Sequence, residues 1–525
     1  MIIDDASIRV HIKSKPCSRA TAVVSSTRTN AVARAASLPE NRGKVRRLLT
    51  LLYGLCPLAH LAAFEGALSA ARGEDEKLDG SKLERQRLLA DAVRLEGLTE
   101  NLRVLLLEAS RLELESEALN VMPGDLPPAP SLEPVDARAV GRLRAVLSQA
   151  ASALLKLPMR SSWSETEHTL LKLPMRSSWS ETEHNLAQRT RAELSASMNA
   201  AAAIAQTSLW GMPPEAFCGL VEKPDEEAAA AIMQWAKTYA AKLPAAHLLA
   251  SMLACAETLD PRAFPESEIP PLPHHAALER QAFSEELCYR MLHDPGFDLA
   301  PFWQGTPRLT GSAARLRNHP VVEGLLSRFG CKPAVLMAAR IVETAEVLRA
   351  YRACTMCREA RDEALEAGDA FTHILSASSP ADGTGICLVE TARGLLAHAA
   401  AVSAQGELTA LRITSPTEWQ FSPNGPGQRI ARPVVKELRF PQNDLERRKL
   451  EVRVRRALFA LDACVPITFA YTPAAGTQAQ DAALEAMRRP AAPRTERTDN
   501  GVRAPQTAAA YSDAAYELIG VPSNA

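Results

Sequence analysis

The stretch Leu51–Leu68, LLYGLCPLAHLAAFEGAL, places a cysteine and a histidine four residues apart in an otherwise apolar run, with a proline directly after the cysteine. Proline suits the first position of a helix, because the N–H it lacks would be unpaired there anyway. The pattern predicts a helix that starts at Pro57 with Cys56 as its N-cap, where free backbone N–H groups and the helix dipole favour a thiolate. His60 falls on the same face. A thiolate with an imidazole donor beside it is a workable soft-metal site. The same residues also fit a buried thiol and a core histidine, and this segment alone does not separate the two.

The chain has 525 residues, enough for one large domain or two to three ordinary ones. Hydrophobic residues make up 46% and charged residues 23%, as in soluble globular proteins. A net charge of −1 favours neither nucleic acid nor an anionic membrane as partner. The N-terminus, MIIDDASIRVHIKSKPCSR, has no apolar run behind a basic start and does not read as a secretory signal. Leu48 to Phe64 is too short for a membrane span and contains Gly54, Pro57 and His60. Ten irregularly spaced cysteines then suggest reduced thiols and a cytoplasmic location.

Outward from the opening stretch the chain reads as mainly α with a small antiparallel β region, an α+β class. ASIRVHI alternates as a short strand. Leu83 to Leu114 carries leucines near helical spacing, and helical patterns recur at 137–156, 186–208, 225–242, 275–293, 334–367 and 443–461. Proline-rich connections cover 122–136 and 260–273. Strands are expected at 385–390, 394–403 and 408–414, the last two joined by a turn at AQGE. LLKLPMRSSWSETEH occurs at 154–168 and again at 170–184. Two identical copies, each with a helix-breaking proline, read as a duplicated surface loop; a doubled Trp/Glu/His binding element is the alternative. Residues 1–474 are read as one domain, and the Ala/Pro-rich residues 475–525 as a largely disordered tail.

Other candidate chemistry is thin. Cys354 and Cys357 form one CxxC with no partner pair, which suits packing or a redox-sensitive thiol pair better than zinc. His274 and His275 follow a proline-rich linker and read as solvated. GxSxG, HExxH and P-loop patterns are absent. Glu390, Arg393 and His398 bracket Gly394 at a strand junction, where Arg393 suits an anionic ligand. Cys464 follows a helix with Asp462 beside it. An exposed strand edge and a buried thiol are the plainer readings of these two patches.

Taken together, four patches resemble the large subunit of nickel–iron hydrogenases. That family carries R-x-C-G-x-C-x-x-x-H. In LLYGLCPLAH, Gly54, Cys56 and His60 match, Tyr53 replaces the first cysteine and Leu51 the arginine. E-A-P-R-G-x-x-x-H is matched in ETARGLLAH by Glu390, Arg393, Gly394 and His398. P-[ST]-x-W is matched by Pro416, Thr417 and Trp419. D-P-C-x-x-C-x-x-H keeps Asp462 and Cys464, with Ala463, Ile467 and Ala470 at its proline, second cysteine and histidine.

The resemblance implies a helical bundle in which the N- and C-terminal motifs meet. In the family four cysteines hold nickel, and two of them bridge to an iron that bears cyanide and carbon monoxide. Cys56 and Cys464 keep two of these positions, so no nickel is expected and no catalysis of hydrogen turnover. Such a degenerate relative resembles the HupK/HoxV-type hydrogenase expression/formation proteins. That implies a non-catalytic scaffold or transient carrier for an Fe(CN)2CO unit, with HypC/HypD-type maturation proteins and the hydrogenase large subunit as partners. On this reading Cys56 and Cys464 ligate iron, Arg393 and Thr417 contact the cyanides, His60 supports Cys56 and Asp462 orients Arg393. Glu390 and His398 are further supporting positions. A metal-free mimic that docks maturation chaperones is the alternative, followed by a remodelled hydrogen-active enzyme.

Overall fold

The computed structural model describes residues 6–14, 20–73, 80–123, 125–157, 179–258, 264, 269–272, 277–356, 374–378, 383–436 and 438–473. The middle of the duplicated stretch, His274, His275, Cys357 and the tail from 475 lie outside them.

The helix predicted from Pro57 runs Pro57–Ala71 with Cys56 as its N-cap. It is buried on nearly every side, through Leu58, Leu61, Phe64, Ala67 and Leu68 among others. A helix apolar all round belongs in a core. One wall of its surroundings is a four-stranded antiparallel sheet, β3 (Ile374–Ser378), β4 (Thr384–Thr391), β5 (Gly394–Val402) and β6 (Leu408–Thr414), in that order. The approach is close. A Cβ on Gly385 of β4 would stand 2.3 Å from the backbone nitrogen of Ala71 at the end of the Pro57 helix. β4 and β5 are buried almost throughout, because they are covered on both faces. This is why Glu390, Arg393 and His398 are buried rather than on an exposed strand edge.

The rest of the main core is helical, as the apolar periodicity requires. Gly80–Leu102 and Ala109–Ala118 form the long helix expected over 83–114, but residues Arg103–Glu108 between them widen into a π-helical turn. Pro134–Lys156, Glu181–Ile204, Asp225–Tyr239, Ala277–His293 and Pro333–Met356 follow near their expected positions. The connection expected at 122–136 is shorter, since Pro134 already occupies the first turn of its helix. Three helices not anticipated, Pro214–Val221, Pro244–Thr258 and Pro320–Phe329, each begin on a proline. Proline suits that place, since the N–H it lacks would be unpaired there anyway. In the second repeat copy, Ser180 and Glu183 make a reciprocal capping box for the helix that follows, which gives that copy a structural task.

A second sheet has the order β2–β1–β7, from β1 (Ile8–Ser14), β2 (Ala20–Ser26) and β7 (Ile467–Thr472). β1 pairs antiparallel with β2 and parallel with β7. Only β1 was anticipated. Ile467 and Ala470, which stand where the resembled motif has a cysteine and a histidine, are strand residues paired with Ile8 and His11. The helix expected at 443–461 is Asp444–Leu458, closed by a 3₁₀ turn at Phe459–Leu461.

Candidate functional site

The β1 register determines how the site is assembled. Ile8 pairs with Ser26 on one side and with Ile467 on the other. The end of β2 and the approach to β7 therefore leave the sheet side by side. Arg28 lies two residues beyond Ser26, and Cys464 three before Ile467. The Arg28 guanidinium donates to Cys464 Sγ across 436 residues of sequence. Its Nε also lies 2.8 Å from Glu418 Oε1. Glu418 is itself fixed, accepting the backbone N–H of Ser415 at 3.0 Å where the helix Pro416–Phe421 begins. The same helix carries Thr417, whose Oγ1 is 3.0 Å from Cys464 Sγ.

Cys56 enters from the other side. It makes no side-chain cap bond to its helix. A buried carboxylate does that instead, with Glu96 accepting the N–H groups of Leu58 and Ala59 at 2.8 and 3.0 Å. Burial pushes the Glu96 carboxyl up to about 8, although the two N–H bonds pull it down. Burial also raises the Cys56 thiol, against the opposing pull of Arg393. The sequence expectation needs correcting here. Cys56 is the N-cap, but desolvation outweighs the dipole and the thiol stays protonated in the metal-free protein.

Arg393 stands at the tight end of β4–β5. Gly394 after it has φ +131°, and a Cβ there would meet Thr310 at 2.5 Å, so the turn accepts only glycine. The Arg393 guanidinium donates to Glu100 at 2.8 Å and pairs with Asp462 at 3.3 Å. The Nε is the atom that faces Asp462, an ion pair without an aligned hydrogen bond among the described residues. Asp462, in left-handed backbone at φ +47°, also holds Arg340 at 2.9 Å and Arg103 at 3.6 Å. Burial opposes its ionisation, but the three guanidiniums outweigh it and hold the carboxyl below its usual range. Cys56 and Cys464 lie within electrostatic reach of each other, and Arg28 and Arg393 each within reach of both. Both cysteines keep partial exposure.

The structure thus places Thr417 against Cys464, Arg393 against Asp462, and Cys56 and Arg393 along one small cavity. His60 and His398 form their own buried pair, Nδ1 to Nε2, at 2.9 Å. The His60 ring stacks on Tyr53 with centroids 3.6 Å apart, and no hydrogen bond joins that ring to Cys56. Burial lowers both imidazoles, His398 to about 3, so each is neutral and one donates to the other. Glu390 sits in a separate buried cluster with Arg315 and Glu343. Arg28 and Glu96 carried no signal in the sequence, because each acts through a partner far along the chain, whereas Glu418 was detectable as the last residue of the capping box Ser415-Pro-Thr-Glu418. Between Cys56, Glu96, Glu100 and Arg393 lies a cavity of about 10 Å³, room for a single water. Among the described residues no three His, Cys, Asp or Glu side chains cluster to hold a metal ion.

No family model matches the chain. A 60-residue stretch is 45% identical to the hydrogenase expression/formation protein HupK of Rhizobium leguminosarum bv. viciae. The chain is similar to a hydrogenase expression/formation protein. The match spans 11% of this chain and only 16% of that relative's length. Among solved structures, an NAD+-reducing [NiFe]-hydrogenase in the H2-reduced state aligns over 86% of this chain and 94% of its own, with 14% identity and a TM-score of 0.41. A reduced Ni-Fe-Se hydrogenase from Desulfomicrobium baculatum aligns over 86% and 95%, with 13% identity and a TM-score of 0.40. No helix among the described residues is long and apolar enough to cross a membrane.

Proposed function

We propose that the chain is a non-catalytic accessory protein of nickel–iron hydrogenase assembly, acting in the cytoplasm. It holds an Fe(CN)2CO unit as cargo between Cys56 and Cys464 before that unit passes to the hydrogenase large subunit. The supporting observation is that Cys464 meets Thr417 and Arg28 while Cys56 and Arg393 line one cavity, all from segments far apart in sequence. Two thiolates are a fitting set for an iron whose other positions are filled by diatomic ligands. Arg393, whose Nε faces Asp462 while the residue lines the cavity beside Cys56, carries guanidinium N–H groups of the kind that suit a cyanide nitrogen. No nickel is expected. HypC/HypD-type maturation proteins are the proposed donors, and the hydrogenase large subunit the recipient. The name of the similar protein, hydrogenase expression/formation protein, agrees with this role.

One observation favours a second reading. The cavity at Cys56 has room for one water, much less than an iron with three diatomic ligands needs. A metal-free mimic that docks maturation factors needs no larger space. A remodelled hydrogen-active enzyme has no such support. Infrared spectroscopy separates the two main readings, on protein purified without oxygen from cells that make their hydrogenase. Cyanide and carbonyl bands that vanish in Cys56→Ala and Cys464→Ala establish the carrier. A featureless spectrum from protein that still co-purifies with maturation factors establishes the mimic.

A further inference from the structure

Two cations face two thiols here, and only Arg393 belongs to the matched motifs. Arg28 belongs to none of them. It is delivered by the β1 template, which places the end of β2 and the start of β7 at the same end of the small sheet. Its fork is oriented on two sides, Nε by Glu418 and one terminal nitrogen by Cys464 Sγ. Glu418 in turn is locked at a helix start, so the guanidinium is held rather than loosely placed. Arg28 and Glu418 are both largely buried, with side-chain exposures of 13% and 4%. Arg393 lines the same small cavity as Cys56 and is backed by Glu100 and Asp462. A metal ion bound by these sulfurs would have a guanidinium, itself held by carboxylate, beside each of them.

That arrangement is unfavourable for a bare divalent cation. Zinc or ferrous ion bound by two thiolates would face like charge from both sides in a partly desolvated site. It is favourable for a metal that arrives with its own anionic ligands. Such ligands accept hydrogen bonds from guanidinium N–H groups, and their charge offsets that of the metal. We propose that Arg28 is the specificity-determining residue of this site, selecting a metal that carries anionic diatomic ligands and rejecting bare divalent cations. This inference rests on the carrier reading for the identity of its cargo, but its rejection half is testable without cargo.

The test uses the full-length, metal-free protein and Zn2+ or Co2+ alone as probe, with the cobalt–thiolate absorption as readout. Wild type is expected to bind weakly. Arg28→Met is expected to bind at least about tenfold more tightly, because one opposing charge is gone. Arg28→Lys keeps the charge without the fork and is expected to stay weak for bare cations. In oxygen-free preparations, Arg28→Lys is expected to show cyanide bands shifted or reduced relative to wild type. Arg28→Met leaves Glu418 without its partner, so the double variant Arg28→Met/Glu418→Gln is measured alongside, with a thermal melt to confirm folding. Equal Zn2+ and Co2+ affinities in wild type and in a folded Met variant would overturn the proposal, even if wild type carries cyanide bands. Tighter binding in the Met variant with no cyanide bands in wild type would keep the rejection role and defeat the carrier reading instead.

Discussion

Glu96→Gln tests whether the floor of the site is a protonated carboxyl. Glu96 caps the helix that presents Cys56, and burial lifts its carboxyl from an ordinary 4.5 to about 8. An acid whose folded value is raised holds a proton that the unfolded chain has already released. Stability therefore falls as pH rises through the window from 4.5 to about 8. Between about pH 5.5 and about pH 8.5 the loss from this one group is about 3 kcal/mol, at about 1.4 kcal/mol per pH unit over the part of the window crossed. Glutamine cannot ionise. It keeps one carbonyl acceptor for the two N–H groups and loses the other, a pH-independent cost of about 1–2 kcal/mol. Denaturant midpoints of wild type and Glu96→Gln are compared across that pH range. The wild-type advantage at low pH should shrink by about 3 kcal/mol at high pH. Parallel curves would refute the reasoning, since they would mean that Glu96 titrates alike in both states.

Two further outcomes follow from the same geometry. Asp462→Asn removes the counter-charge shared by Arg393, Arg340 and Arg103, while asparagine tolerates the left-handed backbone at φ +47°. It should cost about 3–5 kcal/mol in chemical denaturation, and a cost below about 1 kcal/mol would show the cage to be incidental. His398, held at about 3 rather than the ordinary 6.5, contributes stability above pH 6.5 that is lost as pH falls and the unfolded chain takes up the proton first. Stability should therefore fall less steeply in His398→Gln than in wild type between about pH 6.5 and about pH 4, by about 1.4 kcal/mol per unit at most, and equal slopes would contradict a neutral buried pair.

Much was legible from local pattern alone. Pro57 after Cys56 located a helix start because its cause is local: a missing N–H and a fixed φ. The apolar runs at 385–390, 394–403 and 408–414 located β4 to β6, because each strand announces its own burial. The matched motifs also picked out Cys56, Arg393, Thr417, Asp462 and Cys464 before any geometry was known. Tertiary structure decided the rest. The β7 pairing with β1 joins chain ends more than 450 residues apart, and no six-residue stretch can encode so distant a partner. That pairing places Arg28 on Cys464 and turns the Ile467 and Ala470 positions into strand. The protonation of Cys56 and Glu96 follows from desolvation, which depends on everything packed around them rather than on their neighbours in sequence. Sequence names the groups that carry charge and sulfur. Burial and long-range pairing decide their protonation states and their partners.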